Sequence, residues 1–130
     1  MNPVNPEDLP WTERRSPKGG YHRFSRNLSG AMTAAADGAA PPGPPPFDVG
    51  LVRLPPGVAN YPFHSHGAEW ECYLILAGRG TVRHGDRRSP LRAGDCVLCP
   101  PGEPHQLIND GEEDLVYYVI ANNAPAGAPT

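Results

Sequence analysis

Cysteine is scarce in this chain: Cys72, Cys96 and Cys99 are the only three in 130 residues. A small, odd number excludes a disulfide framework. Cys96-Val-Leu-Cys99 spells C-x-x-C, but it falls in a predicted strand rather than at a helix start. Its odd separation also sends the two thiols to opposite faces. Buried or half-buried free thiols are therefore expected, not a redox pair. An excess of one charge is missing too. Eleven Lys and Arg against 14 Asp and Glu leave a formal net charge of −3, which implies no general attraction to nucleic acid or anionic membrane. No apolar run is long enough to span a bilayer. The opening Met-Asn-Pro-Val-Asn-Pro-Glu-Asp lacks a basic segment followed by an apolar one, so no signal peptide is read there. The expectation is a cytoplasmic protein with neither nucleic acid nor membrane among its partners.

Proline and glycine are plentiful instead, at 18 and 15, and they punctuate the chain. Residues 1–30 show no helical period, yet Leu9, Trp11, Tyr21, Phe24 and Leu28 are spaced through polar sequence. These aromatics favour an arm docked on the domain, its own or a partner's, over a solvated tail. Five basic residues (Arg14, Arg15, Lys18, Arg23, Arg26) against Glu7, Asp8 and Glu13 make no strong nucleic-acid patch. Residues 31–46 are almost wholly Ala, Gly and Pro and end in Pro-Pro-Gly-Pro-Pro-Pro. Such prolines hold a spacer extended, with at most one helical turn in its Ala-rich half.

From residue 47 onward the pattern becomes short apolar or alternating runs between Gly/Pro turns. Strands are predicted over 47–54, 60–65, 70–77, 80–84, 89–92, 96–99, 105–108 and 114–121, with 96–99 buried. Many short strands with turns between them argue for an all-β barrel or sandwich. Residues 123–130 read as a frayed tail.

Four residues in this region carry the chemistry: His64, His66, Glu71 and His105. His64 and His66 are two apart, so on an extended segment both imidazoles share one face. Glu71 follows a short Gly-Ala break and begins the next strand. His105 is returned from a distant segment by a Pro-Pro-Gly turn. Three imidazoles and a carboxylate suit a divalent first-row metal, and Mn, Fe, Ni, Co, Cu and Zn are not ranked by that donor list. The alternative is a metal-free centre filled by hydrogen-bonded side chains. Glu69 shares parity with Glu71 and is a candidate acid or base at the site's mouth, or else a solvent-facing loop carboxylate. Tyr61 is the other candidate acid–base group. Phe63, Trp70 and Tyr73 flank the ligands as pocket or core. Arg53 could neutralise a ligand carboxylate or sit on the surface, and Asn109 is expected to hold a turn. His22 and His84, without such company, read as surface residues.

The stretches 57–78 and 94–109 resemble the paired motifs of the cupin superfamily, G(X)5HXH(X)3,4E(X)6G and G(X)5PXG(X)2H(X)3N, as found in small single-domain bacterial members. The second matches at every fixed position. The first departs once, with six residues in place of five between Gly57 and His64. The spacing selects Glu71, not Glu69, as the family's carboxylate. The resemblance implies a double-stranded β-helix, or jelly-roll barrel, over residues 47–122, with the metal inside, and pairing into homodimers. It also implies a small-molecule ligand. Cupins include dioxygenases, decarboxylases and isomerases as well as proteins that only bind sugars or small acids, and the fold does not choose among these. A metal-dependent enzyme acting on a small oxygen-rich molecule is expected. The alternatives are a non-catalytic binding module and a cupin whose metal is structural.

Overall fold

Alternation decides which side of each strand faces inward. In the strand from Glu71 to Ala77, Glu71, Tyr73 and Ile75 are buried while Cys72, Leu74 and Leu76 face outward. The same period-2 pattern recurs over His105–Ile108 and at the start of the strand Leu115–Asn122. The structure, a computed structural model, describes residues 2–36, 45–62 and 67–123.

The described elements are β1 (Thr12–Arg15), β2 (His22–Asn27), α1 (Leu28–Ala34), β3 (Phe47–Leu54), β4 (Glu71–Ala77), β5 (Arg79–His84), β6 (Arg87–Arg92), β7 (Cys96–Cys99), β8 (His105–Ile108) and β9 (Leu115–Asn122). They form a six-stranded sheet, β1-β2-β3-β9-β4-β7, and a three-stranded sheet, β6-β5-β8. Every strand pairing in both sheets is antiparallel. Inward side chains of both sheets merge into one core of Val52, Leu54, Tyr73, Ile75, Val82, Leu91, Cys99, Leu107, Leu115 and Tyr117. This is an all-β jelly-roll barrel. Ala59 bridges to Tyr21 on one side and to Ile108 on the other, stitching the two sheets together along one seam.

Glycine makes one of the tight joins possible. Gly78, at the β4–β5 turn, has φ of 86°, and a Cβ there would lie 2.3 Å from the Asp114 carbonyl oxygen. Any larger residue would have to push β9 away from this turn. Pro90 sits in β6, an edge strand, where a missing N–H costs the sheet nothing.

Several expectations change. Residues 12–27 are not merely an arm lying on the barrel: β2 pairs with β3 over Phe24–Arg53, Ser25–Val52, Arg26–Leu51 and Asn27–Gly50, extending the large sheet. Helix α1 begins three residues before the Ala-rich stretch, because Asn27 caps it by accepting from the Gly30 N–H at 3.0 Å and Leu28 is buried. Strand β7 is buried only at Cys99, not throughout. As the edge of the large sheet it shows one face outward, leaving Cys96 exposed and Leu98 62% exposed. Phe63, His64, Ser65 and His66, and with them half of the strand expected over 60–65, lie outside the described residues, as do residues 37–44 of the expected spacer and most of the 123–130 tail.

Candidate metal and ligand site

Glu71 opens β4, opposite Cys99 of β7 and Ala121 of β9. The backbone just before it is pinned by Asn122, whose side-chain oxygen accepts from the Trp70 N–H at 2.6 Å. Inward parity then carries the Glu71 carboxylate into the barrel, 7% exposed. His105 opens β8 directly after the Pro-Pro-Gly turn and is 2% exposed. The two side chains meet, with His105 Nε2 2.9 Å from Glu71 Oε1. Tyr73 donates its hydroxyl to the other carboxylate oxygen at 3.3 Å, and its ring meets Tyr117 edge-on at 5.4 Å.

His105 Nδ1 lies 3.0 Å from the Glu103 carbonyl oxygen. A carbonyl only accepts, so Nδ1 carries a proton and Nε2 is the atom presented to Glu71. Burial pulls the His105 pKa down, but hydrogen bonds to Glu71 and the Glu103 carbonyl, with the charges of both acids, outweigh it, and the net shift is upward. Without a metal, a proton on Nε2 or on the carboxylate makes this contact a hydrogen bond. That arrangement fits a divalent ion: an imidazole oriented by a backbone acceptor and a carboxylate oriented by a tyrosine offer their remaining lone pairs to one place. Among the described residues no three His, Cys, Asp or Glu side chains converge in metal-binding fashion. The other two expected ligands, His64 and His66, are outside that set.

The Glu71–His105 pair stands between two cavities. One, of about 290 Å³, is lined by Arg23, Tyr61, Glu69, Glu71, Tyr73 and Tyr117 among others. The second, of about 370 Å³, is lined by His105 together with His84, Ser89, Cys99 and Glu103. Glu69 and Tyr61 therefore share a cavity with Glu71. Burial, opposed by the nearby Arg23, raises the Tyr61 pKa, so its phenol keeps its proton at neutral pH. Tyr73, deeply buried beside Glu71, is raised well above its ordinary value and stays a donor.

Trp70, His22 and His84 are placed differently from expectation, and Arg53 does not take the ligand-facing one of its two alternatives. Trp70 is 49% exposed and lines neither cavity. Arg53 pairs with Asp114 at 3.2 Å, stacks on Phe24 at 4.2 Å, and also lines neither cavity. His22 is half-buried, 3.1 Å from Glu13 and tilted against Phe24. His84 is not a lone surface residue. It is the cross-strand neighbour of His105, bonds Ser89 at 3.1 Å, and lines the same cavity. Its parity with the buried Val82 in β5 was the available signal.

Sequence reasoning also passed over Arg23 and Asn60. Arg23 of β2 lies over the Tyr61 ring at 3.9 Å and donates to the Asn60 carbonyl at 3.2 Å. Asn60 is fully buried. It donates to the Tyr117 hydroxyl at 3.2 Å and accepts from the Leu107 N–H at 3.0 Å, locking the segment before the histidines to both sheets.

Comparison with known proteins agrees with this architecture. Residues 50–121 match the cupin domain family. An oxalate-binding protein of Thermotoga maritima is 35% identical over 69 residues, 53% of this chain and 56% of that protein. The dimethylsulfoniopropionate lyase DddQ of Ruegeria pomeroyi is 45% identical over 56 residues, 42% of this chain and 27% of the lyase. The chain thus spans about half the length, or less, of these curated relatives. A Thermotoga maritima crystal structure described as a predicted oxalate decarboxylase superposes with a TM-score of 0.74 at 25% identity, covering 93% of this chain and 98% of the other. With the paired motifs, the jelly-roll barrel and a family match over more than half its length, this chain belongs to the cupin family.

Proposed function

We propose that this cupin holds one divalent transition metal through His64, His66, Glu71 and His105, and acts as a metal-dependent enzyme on a small oxygen-rich molecule. One observation carries the reading. Two motif residues 34 positions apart bring a buried carboxylate and an imidazole to 2.9 Å, beside a cavity with room for a small ligand. When bound, such an ion polarises a carbonyl or carboxylate oxygen of the ligand. The chain's own contributions follow from the geometry. Tyr73 and the Glu103 carbonyl orient the ligating groups. Glu69 is the candidate proton acceptor within the cavity, and Tyr61, which keeps its proton, is the candidate donor.

The test is elemental mass spectrometry on protein purified without a histidine tag. Near-stoichiometric metal is expected, abolished by His64→Ala or His105→Ala and retained by Glu69→Ala. Full metal in both histidine variants would sink the assignment.

A second reading is a binding module that uses the same centre without turnover. The Thermotoga maritima oxalate-binding relative favours it. Metal-loaded protein that binds oxalate but leaves it unchanged after prolonged incubation, with and without oxygen, would decide for this reading. We further propose that two chains pair as a homodimer through the outer face of the large sheet. Cys72, Leu74 and Leu76 of β4 lie there beside Tyr118 and Ile120 of β9 and Leu98 of β7.

A further inference from the structure

Strands β1 and β2 lie before the span that matches the family, residues 50–121, yet they reach the cavity that contains Glu71. Arg23 of β2 lines that cavity. Arg14 of β1 is its direct cross-strand partner, so the two side chains leave the sheet on the same face. Two like charges placed opposite one another destabilise an antiparallel pair. Here no ion pair relieves either one: among the described residues neither Arg14 nor Arg23 is bridged to a carboxylate. The nearby carboxylates are otherwise engaged. Glu71 meets His105, Asp48 accepts from Ser29, and Glu69 lines the same cavity with further contacts of its own.

The Arg23 guanidinium is also held in place. It lies over the Tyr61 ring at 3.9 Å and uses one N–H on the Asn60 carbonyl at 3.2 Å. Its other donors remain available in the fork geometry that matches oxyanions. Stacking holds the cation at the mouth without neutralising it, since an aromatic face attracts a cation but brings no counter-charge.

We infer that Arg23, flanked by Arg14 and seated on Tyr61, forms an anion-recognition subsite at the mouth of the Glu71 cavity, and that the ligand carries a carboxylate or phosphate group docked there. The inference rests on the proposal that this cavity is the ligand site. The two anion classes share the guanidinium chemistry and are separated by experiment.

Calorimetric titration at low ionic strength compares malonate with uncharged malonamide, and inorganic phosphate with glycerol. Wild-type protein prefers at least one anion over its neutral counterpart by tenfold or more. The preferred anion identifies the docking group. Affinity falls as salt is raised, as expected for a partly exposed charge contact. Arg23→Gln weakens the preferred anion by about 10- to 100-fold. Arg23→Lys recovers part of that loss, because it restores charge but not the planar fork. Arg14→Gln, changing an exposed residue, costs about threefold or less.

Metal content is measured on each variant. Equal affinity for charged and neutral probes in wild type, or an unweakened anion in Arg23→Gln, overturns the subsite. Should Arg23→Gln fail to fold, Arg23→Lys takes its place, and anion affinity in it unchanged from wild type overturns the subsite. The two proposals fail separately. A protein whose metal is lost with His105→Ala but which shows no anion preference keeps the metal centre and loses the subsite. Arg23-dependent anion binding by a protein that takes up no metal does the reverse.

Discussion

Asn109 has no solvent exposure. Its amide nitrogen donates to the Leu54 carbonyl at 2.9 Å and the Glu113 carbonyl at 2.8 Å, and its oxygen accepts from the Gly111 N–H at 3.0 Å. Truncation leaves buried backbone groups without partners, at about 1–3 kcal/mol for each one left unsatisfied. Asn109→Ala is therefore expected to lower stability by roughly 2–4 kcal/mol in urea unfolding, while metal content stays unchanged. The turn-holding role of Asn109 was legible, because Asn-Asp-Gly after a strand is turn chemistry in itself. Asn60 was not. It sits in a sequence without local signal, and its partners Tyr117 and Leu107 are 57 and 47 residues away. The Glu71–His105 contact was legible for a different reason, since spacing within two motifs named both residues. Arg23 was hidden because nothing in residues 12–27 says which face of which strand they will join.

Among the elements, β7 shows how one strand holds two environments. Cys96 points outward and is exposed, whereas Cys99 is 4% exposed and faces Glu71 across the ladder. Burial first, and then the Glu71 charge, push the Cys99 thiol up to about 12. Burial also raises the half-buried Cys72. The sign is simple: a raised thiol pKa leaves less thiolate at a given pH, and thiolate is the reacting form. Iodoacetamide at pH 8 should modify Cys99 last of the three, with peptide mass spectrometry reading the order. Rapid modification of Cys99 in the native state would contradict the burial described for β7. The separation of the two thiols was readable from odd spacing alone, but the edge position of β7 was not, because strand order is set by long-range pairing. For the same reason Gly/Pro punctuation outlined β4 through β9 closely, while β1 and β2 went unseen without their partner β3. Helix α1 was anticipated only as one turn in the Ala-rich stretch, because seven residues with a Gly inside give little periodicity; its cap and the burial of Leu28 supply what propensity does not.

For the molecule as a whole, the outer face of the large sheet sets the expected assembly. Leu76 and Leu98 are 47% and 62% exposed in the single chain, on a sheet face where Leu74, Tyr118 and Ile120 are only partly covered. A patch of this kind marks an association surface. Light scattering after size exclusion should give twice the chain mass, and Leu98→Glu should shift it to the monomer while leaving the metal in place. A wild-type monomer at high concentration would refute the pairing. The opposite margin of the same sheet has a different fate. Cutting the chain to the span that matches the family would begin it at Gly50, inside β3, and remove the strand that pairs there. The backbone N–H and C=O groups now occupied by β2 would become a bare template for a neighbouring molecule's strand. The segment lying before the family match is thus also a guard against edge-to-edge polymerisation, so a trimmed barrel gains stickiness along with its smaller size.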